Sequence, residues 1–244
     1  MSIANINKKL FIHIPKNGGM SIRHQQSILF DKIIVPKTNI LVSEDYVNNF
    51  VAKMREMKRP NIPAEHARWK DVKLGLRMAH DAFAIVRNPW DRVVSRYMFK
   101  AYQTPGYLED VPFEQFLEER HLYEGDAGKY TWHLAIKGWF PAADYVTDNK
   151  GNLKCDMMRF GHMHEDVAKY FKLAPNTKLY IRNVSNGKKS DDKHSVVERK
   201  PYQEFYNDKT IQIVADHYKK DIDLWGFDFD TEAKRNYWND GTRY

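Results

Sequence analysis

The sequence is short of several things that would decide its class at once. Cys155 is the only cysteine among 244 residues, which excludes an intrachain disulfide and a cluster of cysteine metal ligands. No window approaches the roughly 20 consecutive apolar residues that a membrane-spanning helix needs. The apolar stretch near the start, LFIHI, is too short for a secretory signal. A Walker loop, GxxxxGK followed by Ser or Thr, is absent, and so are an HExxH pair and an acidic metal-binding pair. Internal repeats, low-complexity tracts and a marked domain boundary are lacking too. These absences lead to the expectation of one domain over residues 1–244, without a membrane span or a metal, in the reducing environment of the cytoplasm.

What is there is a globular composition with a basic bias. Hydrophobic residues make up 42% and charged residues 29%, enough to build a core in a chain of this length. Lys and Arg total 39 against 32 for Asp and Glu, a net +7. Such an excess suits nucleic acid, an anionic membrane surface, a polyanionic substrate or an anionic cofactor, and chooses none of them. No recognisable RNA- or DNA-binding motif accompanies it, so no nucleic-acid partner is expected.

Lys9 to Ile14, KLFIHI, is rich in β-branched and aromatic residues and stops at Pro15, which reads as a buried strand. Lys32 to Val35 and Asp81 to Val86 read the same way. Ser43 stands before Glu44 and Asp45, a capped helix start with acid at the positive end of the dipole. Tyr46, Val47, Phe50, Val51, Met54 and Met57 extend that helix at three-to-four spacing. Further helices are expected at Ala67–Arg77, from Pro89 behind an Asn88 cap, and at Pro112–Arg120, Glu165–Phe171 and Thr210–Tyr218. Asp148 to Asn152 reads as a hairpin turn between strands Ala143–Thr147 and Lys154–Met158. Thr177–Arg182 reads as a strand, and the polar, lysine-rich segment 183–194 as a mobile surface loop or lid. Strands alternating with helices predict an α/β fold, a central parallel sheet flanked by helices.

Two stretches carry chemistry. In PKNGGMS, Gly18 and Gly19 let the backbone turn sharply and approach a ligand without Cβ interference. The amides opening the next helix can then bind phosphate oxygens, with Lys16 adding charge and Ser21 a hydroxyl. A plain turn would also explain the glycine pair. In FAIVRNPWDRVVSRYMF, a strand delivers Arg87 to its carboxyl end and the following helix holds Ser95. Both can converge on one anion at the carboxyl edge of the sheet, and a guanidinium fork suits phosphate.

Together these stretches resemble the sulfotransferases that use phosphoadenosine phosphosulfate (PAPS), in the branch that includes the Golgi heparan and chondroitin enzymes and bacterial relatives. That family's PK-x-G-G/A-T-S loop, which grips the 5′-phosphosulfate, is matched by Pro15–Ser21. Its V-R-N/D-P-x-x-R-x-x-S segment, which grips the 3′-phosphate, is matched by Val86–Ser95. ADYVTDNKGNLKCDMMRF and YKKDIDLWGFDF resemble the family's later hairpin and closing elements, so the likeness spans most of the chain. It implies a P-loop-type, three-layer α/β fold and PAPS held by Lys16, Asn17, Gly18, Gly19, Met20, Ser21, Arg87 and Ser95, with adenosine 3′,5′-bisphosphate (PAP) as product. Two positions depart from the pattern: Met20 stands where the family usually has Thr, and Gly161 where Glu often follows the RF pair.

The resemblance also implies roles. Lys16 can stabilise charge on the leaving phosphate. His66, in PAEHAR between the two motifs, matches a family histidine and suits a general base, since imidazole titrates near neutrality; His133 beside Trp132 is its rival. A sulfuryl group carries less charge than a phosphoryl group, so no metal is required. The resemblance implies a hydroxyl acceptor, a saccharide first, with a protein tyrosine or a small alcohol as alternatives. His13 and His80 read as structural or loop residues, and His162 and His164 as solvated. Trp90 and Tyr97 read as core, Arg92 and Arg96 as exposed salt-bridge partners, and Lys188, Lys189 and Lys193 as a solvated run. The alternatives are a P-loop small-molecule kinase, which would need the missing Walker lysine and an acidic Mg²⁺ ligand, and a protein that binds PAPS or PAP without turnover.

Overall fold

Short apolar runs with side chains alternating between two faces determine how this molecule is layered. The computed structural model describes residues 8–29, 31–36, 39–48, 64–123, 139–174, 177, 179 and 200–234. Four strands, β1 (Lys9–Phe11), β2 (Ile33–Ile34), β3 (Ala82–Val86) and β4 (Cys155–Arg159), form one sheet in the order β2-β1-β3-β4. Every described pairing is parallel, with Leu10 beside Ala82 and Val86 beside Arg159. Strand carboxyl ends therefore lie along one edge of the sheet.

The alternation feeds two separate cores. Leu10, Ile12, Ala82, Ala84, Val86, Cys155 and Met157 join one buried cluster. Phe11, Phe83, Ile85 and Met158 join the other. On the first face pack α3 (44–48), α5 (Pro89–Gln103), α6 (Tyr107–Asp110), α7 (Phe113–Leu117), α8 (Ala143–Val146), α10 (Asp208–His217) and α11 (Lys219–Trp225), through Tyr46, Val93, Val94, Leu108, Phe116, Val146, Val214 and Trp225. On the second pack α1 (Gly19–Arg23), α2 (Gln26–Leu29) and α9 (Met163–Tyr170), through Ile22, Leu29, Met163 and Val167. Each buried aliphatic or aromatic side chain contributes about 1.5–3 kcal/mol. The result is the expected α/β architecture in three layers, helices on both faces of a parallel sheet.

Local signals place most elements. The Ser43 hydroxyl accepts from the Tyr46 amide at 3.3 Å, capping α3. Asn88 caps α5 by accepting from the amides of Trp90 and Asp91, with Pro89 at the first helical position. Cys155 is buried in β4. The expected strand at Thr177–Arg182, the loop 183–194, His133 and the later turns of the helix from Tyr46 fall largely or wholly outside the described residues.

Two expectations are corrected. Residues 143–147 do not form a hairpin strand: Ala143–Val146 is helical, and Thr147 after it makes an isolated bridge to Leu153. The cause is Asp221, whose carboxylate accepts from the amides of Ala142 and Ala143 at 2.8 Å each, satisfying a helix start from far along the chain. The Asp148–Asn152 turn itself is present, closed by Asp148 Oδ1 accepting from the amides of Lys150 and Asn152. Nor is Ala67–Arg77 one helix. A separate turn at Ala64–His66 precedes it, and the stretch itself holds a single turn at Trp69–Asp71 and the start of a short α4 (Leu74–Ala79). Asp71 bonds the Arg68 backbone and guanidinium, a local alternative to the helical ladder, while a bridge to Val42 draws Val72 into extended backbone.

Candidate active site

The carboxyl end of β1 runs through His13 into the loop Pro15–Gly18 and then α1. Gly18 takes φ 76°, a left-handed conformation that favours glycine, and a Cβ there would stand 2.8 Å from the Phe160 ring. Gly19 is bare for another reason: a Cβ would collide with the imidazole of His13. Lys16 also has positive φ, at 68°, which costs a non-glycine residue about 1–2 kcal/mol. Its carbonyl is held by Arg87 Nη1, donating at 2.9 Å. Asn17 is buried and its Nδ2 donates to the Ile85 carbonyl at 2.8 Å, tying the loop to β3. Ser21 is buried behind the loop, whereas Met20 is half-buried, with Arg23 Nη1 3.4 Å from its sulfur.

Arg87, at the end of β3, is 4% exposed. Asp91 grips it through both carboxylate oxygens at 2.6 and 2.9 Å, and Phe160 lies beneath it, 4.1 Å from guanidinium carbon to ring centre. Burial lowers its pKa to about 9, against the Glu232 carboxylate, which raises it. Among the described residues three of its five N–H groups have a hydrogen-bond partner. Along α5, Arg92, Ser95 and Phe99 share one face by their three-and-four spacing. Arg92 Nε donates to the Pro15 carbonyl at 3.1 Å, and Lys16 Nζ rests 3.8 Å from the centre of the Phe99 ring. The half-buried Ser95 therefore lies on the helix face that backs the loop.

The single turn Ala64–His66 brings His66 to the same corner. Its Nδ1 stands 2.9 Å from the His13 carbonyl oxygen. A carbonyl only accepts, so Nδ1 carries the proton and Nε2 of the neutral ring keeps its lone pair. The two imidazoles lie 4.4 Å apart between centres. Burial lowers the His66 pKa, opposed by the bond to His13 and by Glu65, while Arg23 and Lys16 lower it further. His13 is held well below its ordinary value, by burial first and then by His66 and Arg23. Lys16, Asn17, Gly18, Gly19, His66 and Arg87 thus gather at one edge of the sheet.

A model of the sulfotransferase family matches residues 3–228. The chain belongs to the sulfotransferase family. Among solved structures, a sulfotransferase from Alicyclobacillus acidocaldarius is similar at 16% identity, with 91% of this chain and 97% of that chain covered and a TM-score of 0.45. No curated protein matches the sequence.

In this sulfotransferase several site neighbours escape sequence reading. Glu65 and Arg23 form an ion pair beside His66, and Asp91 holds Arg87; only the i,i+4 spacing of Arg87 and Asp91 was a usable signal. Glu232 has the least local signature. Its carboxylate occupies the space in which a side chain at position 161 would lie, since a Cβ on Gly161 would come within 2.5 Å of Oε1. The glycine that departs from the family pattern thus makes room for a carboxylate from the far end of the chain. Arg92 and Arg96 are not exposed salt-bridge partners: both are buried, because Arg92 also bonds the Phe140 carbonyl and Arg96 bonds Glu119 beside Trp139. Trp90 and Tyr97 are core residues whose polar atoms donate to the carbonyls of Ile211 and Val111. His80 Nδ1 donates to the Lys8 carbonyl, and His162 and His164 are exposed. Among the described residues no group of three or more His, Cys, Asp or Glu side chains could hold a metal, and no helix is long and apolar enough to cross a membrane.

Proposed function

We propose that this sulfotransferase moves a sulfuryl group from PAPS to a saccharide hydroxyl in the cytoplasm, without a metal, with His66 as general base and Lys16 as the stabiliser of the departing phosphate. PAPS, when bound, supplies the sulfuryl group on a phosphate leaving group. The residues present fit such a donor in chemistry: a lysine ammonium in a loop with two bare glycines, and a guanidinium fork hydrogen-bonded to that loop. Lys16 is held in place from both ends, its carbonyl by Arg87 and its ammonium resting on Phe99. It adds a fixed positive charge where a negative one develops.

The observation that carries the reading is the tautomer of His66. With Nδ1–H committed to the His13 carbonyl, the lone pair is on Nε2, and burial keeps the ring neutral and ready to accept a hydroxyl proton. The saccharide preference is supported by the resemblance to the carbohydrate branch. Phe99 and Tyr102 add to it: they are 44% and 45% exposed, near-parallel at 17° and 6.3 Å between centres, beside Lys16. Such a platform suits the apolar face of a sugar ring.

The test pairs catalysis with calorimetry. His66→Ala is expected to reduce transfer from labelled PAPS by about 100-fold or more while affinity for PAP stays near that of the unaltered protein. Normal turnover in that variant would remove His66 from the mechanism. PAP binding without transfer to any acceptor by the unaltered protein would favour a binding protein instead.

A further inference from the structure

His66 does not stand in the site alone. Among the described residues, the charged and titratable groups around it come from three places: Lys16 from the loop, Arg23 from α1, and Glu65 from its own turn, with the His13 ring packed alongside. Glu65 spans two of these neighbours with one carboxylate. Oε2 pairs with Arg23 Nη1, and Oε1 lies 3.8 Å from His66 Nε2. That nitrogen is the one left unprotonated by the bond to the His13 carbonyl.

At 3.8 Å no hydrogen bond joins a lone pair to a carboxylate. The contact changes character once Nε2 takes a proton, because a cation then faces an anion across a half-buried gap. The side chains of His66 and Glu65 are only 16% and 18% exposed, so water screens this attraction incompletely. Arg23 pairs with the same carboxylate and its positive charge works against a second cation on His66.

We propose that Glu65 is the counter-charge that stabilises the imidazolium formed on His66 and so sets its strength as a base, with the Arg23 charge opposing it. The inference rests on the reading of His66 as general base. In the step concerned, the acceptor O–H proton passes to His66 Nε2 while the acceptor oxygen bonds sulfur. The bridging S–O bond breaks, and its electron pair leaves on the phosphate. Glu65 gains and loses nothing; it is a positioning residue that acts through His66.

The test measures ionisation directly, in the full chain and without nucleotide. The His66 ring is followed by NMR through a pH titration in the unaltered protein and in Glu65→Gln, Glu65→Asp and Arg23→Gln. Glu65→Gln should move the midpoint to lower pH, Glu65→Asp should retain most of the original value, and Arg23→Gln should move it to higher pH. Opposite shifts from the two partners of one ion pair are an electrostatic signature, since loosening of the turn would act alike in both. An unmoved midpoint in Glu65→Gln, or shifts of the same sign in Glu65→Gln and Arg23→Gln, would overturn the proposal. In transfer assays Glu65→Gln should lower kcat about tenfold, with the KM for PAPS unchanged and the acid limb of the pH profile displaced to lower pH; an unaltered kcat and acid limb would count against it. If the unaltered protein transfers nothing, the base reading fails, while the titration still decides whether Glu65 is the counter-charge.

Discussion

At the scale of single residues, the loop depends on side chains that are absent as much as on those present. Gly19 lies inside the first turn of α1, where alanine would ordinarily stabilise a helix by about 1 kcal/mol. Here a Cβ meets the His13 ring, which is itself confined by His66 at 4.4 Å and Phe11 at 5.7 Å between ring centres. Overpacking of this kind costs about 1–3 kcal/mol, so the clash outweighs the propensity gain. Gly19→Ala should therefore lower the melting temperature, read by calorimetry, and reduce PAP affinity through the displaced loop. A raised melting temperature would show that His13 yields freely. The glycine pair was legible as a backbone requirement, but the sequence offered no sign that an imidazole packs against the second glycine.

At the scale of elements, α5 is the organiser. Its cap residue faces two ways: Asn88 Oδ1 accepts from the helix amides, while Nδ2 donates to the carbonyls of Asp228 and Thr231 at 2.9 and 2.8 Å. One side chain thus starts the helix that carries Asp91 and Ser95 and fastens the segment that carries Glu232. Replacing a helix cap with alanine costs about 1 kcal/mol, and the two released carbonyls add to that. Asn88→Ala should destabilise the fold by about 1–2 kcal/mol in urea denaturation. Faster amide exchange is expected over the tethered stretch 228–234, and unchanged exchange there would refute the tether. The cap was readable from Asn-Pro; the tether was not, because no local rule links position 88 to position 231.

At the scale of the molecule, the buried Arg92 joins layers that the chain visits far apart. It donates to the carbonyls of Pro15 and Phe140 and stands 3.9 Å from Asp221. Burial raises Asp221 to a pKa of about 6, with Arg92 and the amides of Ala143 and Ala142 pulling it down. Arg92→Met would remove the guanidinium donor from the Pro15 and Phe140 carbonyls and its charge from beside Asp221. Breaking one side of a buried pair costs about 3–5 kcal/mol, a large share of the roughly 5–15 kcal/mol that holds a domain together. The midpoint of chemical denaturation should fall accordingly, and a loss below about 1 kcal/mol would mean that water replaces the guanidinium. The same long-range dependence explains the misread hairpin. Residues 143–147 have the composition of a strand, yet Asp221 supplies a helix cap that only a folded chain can bring there.

The amino-acid sequence by itself determined the strands of the parallel sheet, the Asn88 and Ser43 caps, the glycine loop and the two motifs that mark the family, since each rests on residues within one or two turns of each other. Only the tertiary structure decided that Glu65 and Arg23 would flank His66, that Arg92 would be buried, and that Glu232 would fill the space above Gly161. Short-range backbone preferences leave a mark in local spacing; electrostatic partnerships across a folded core leave none until the layers close.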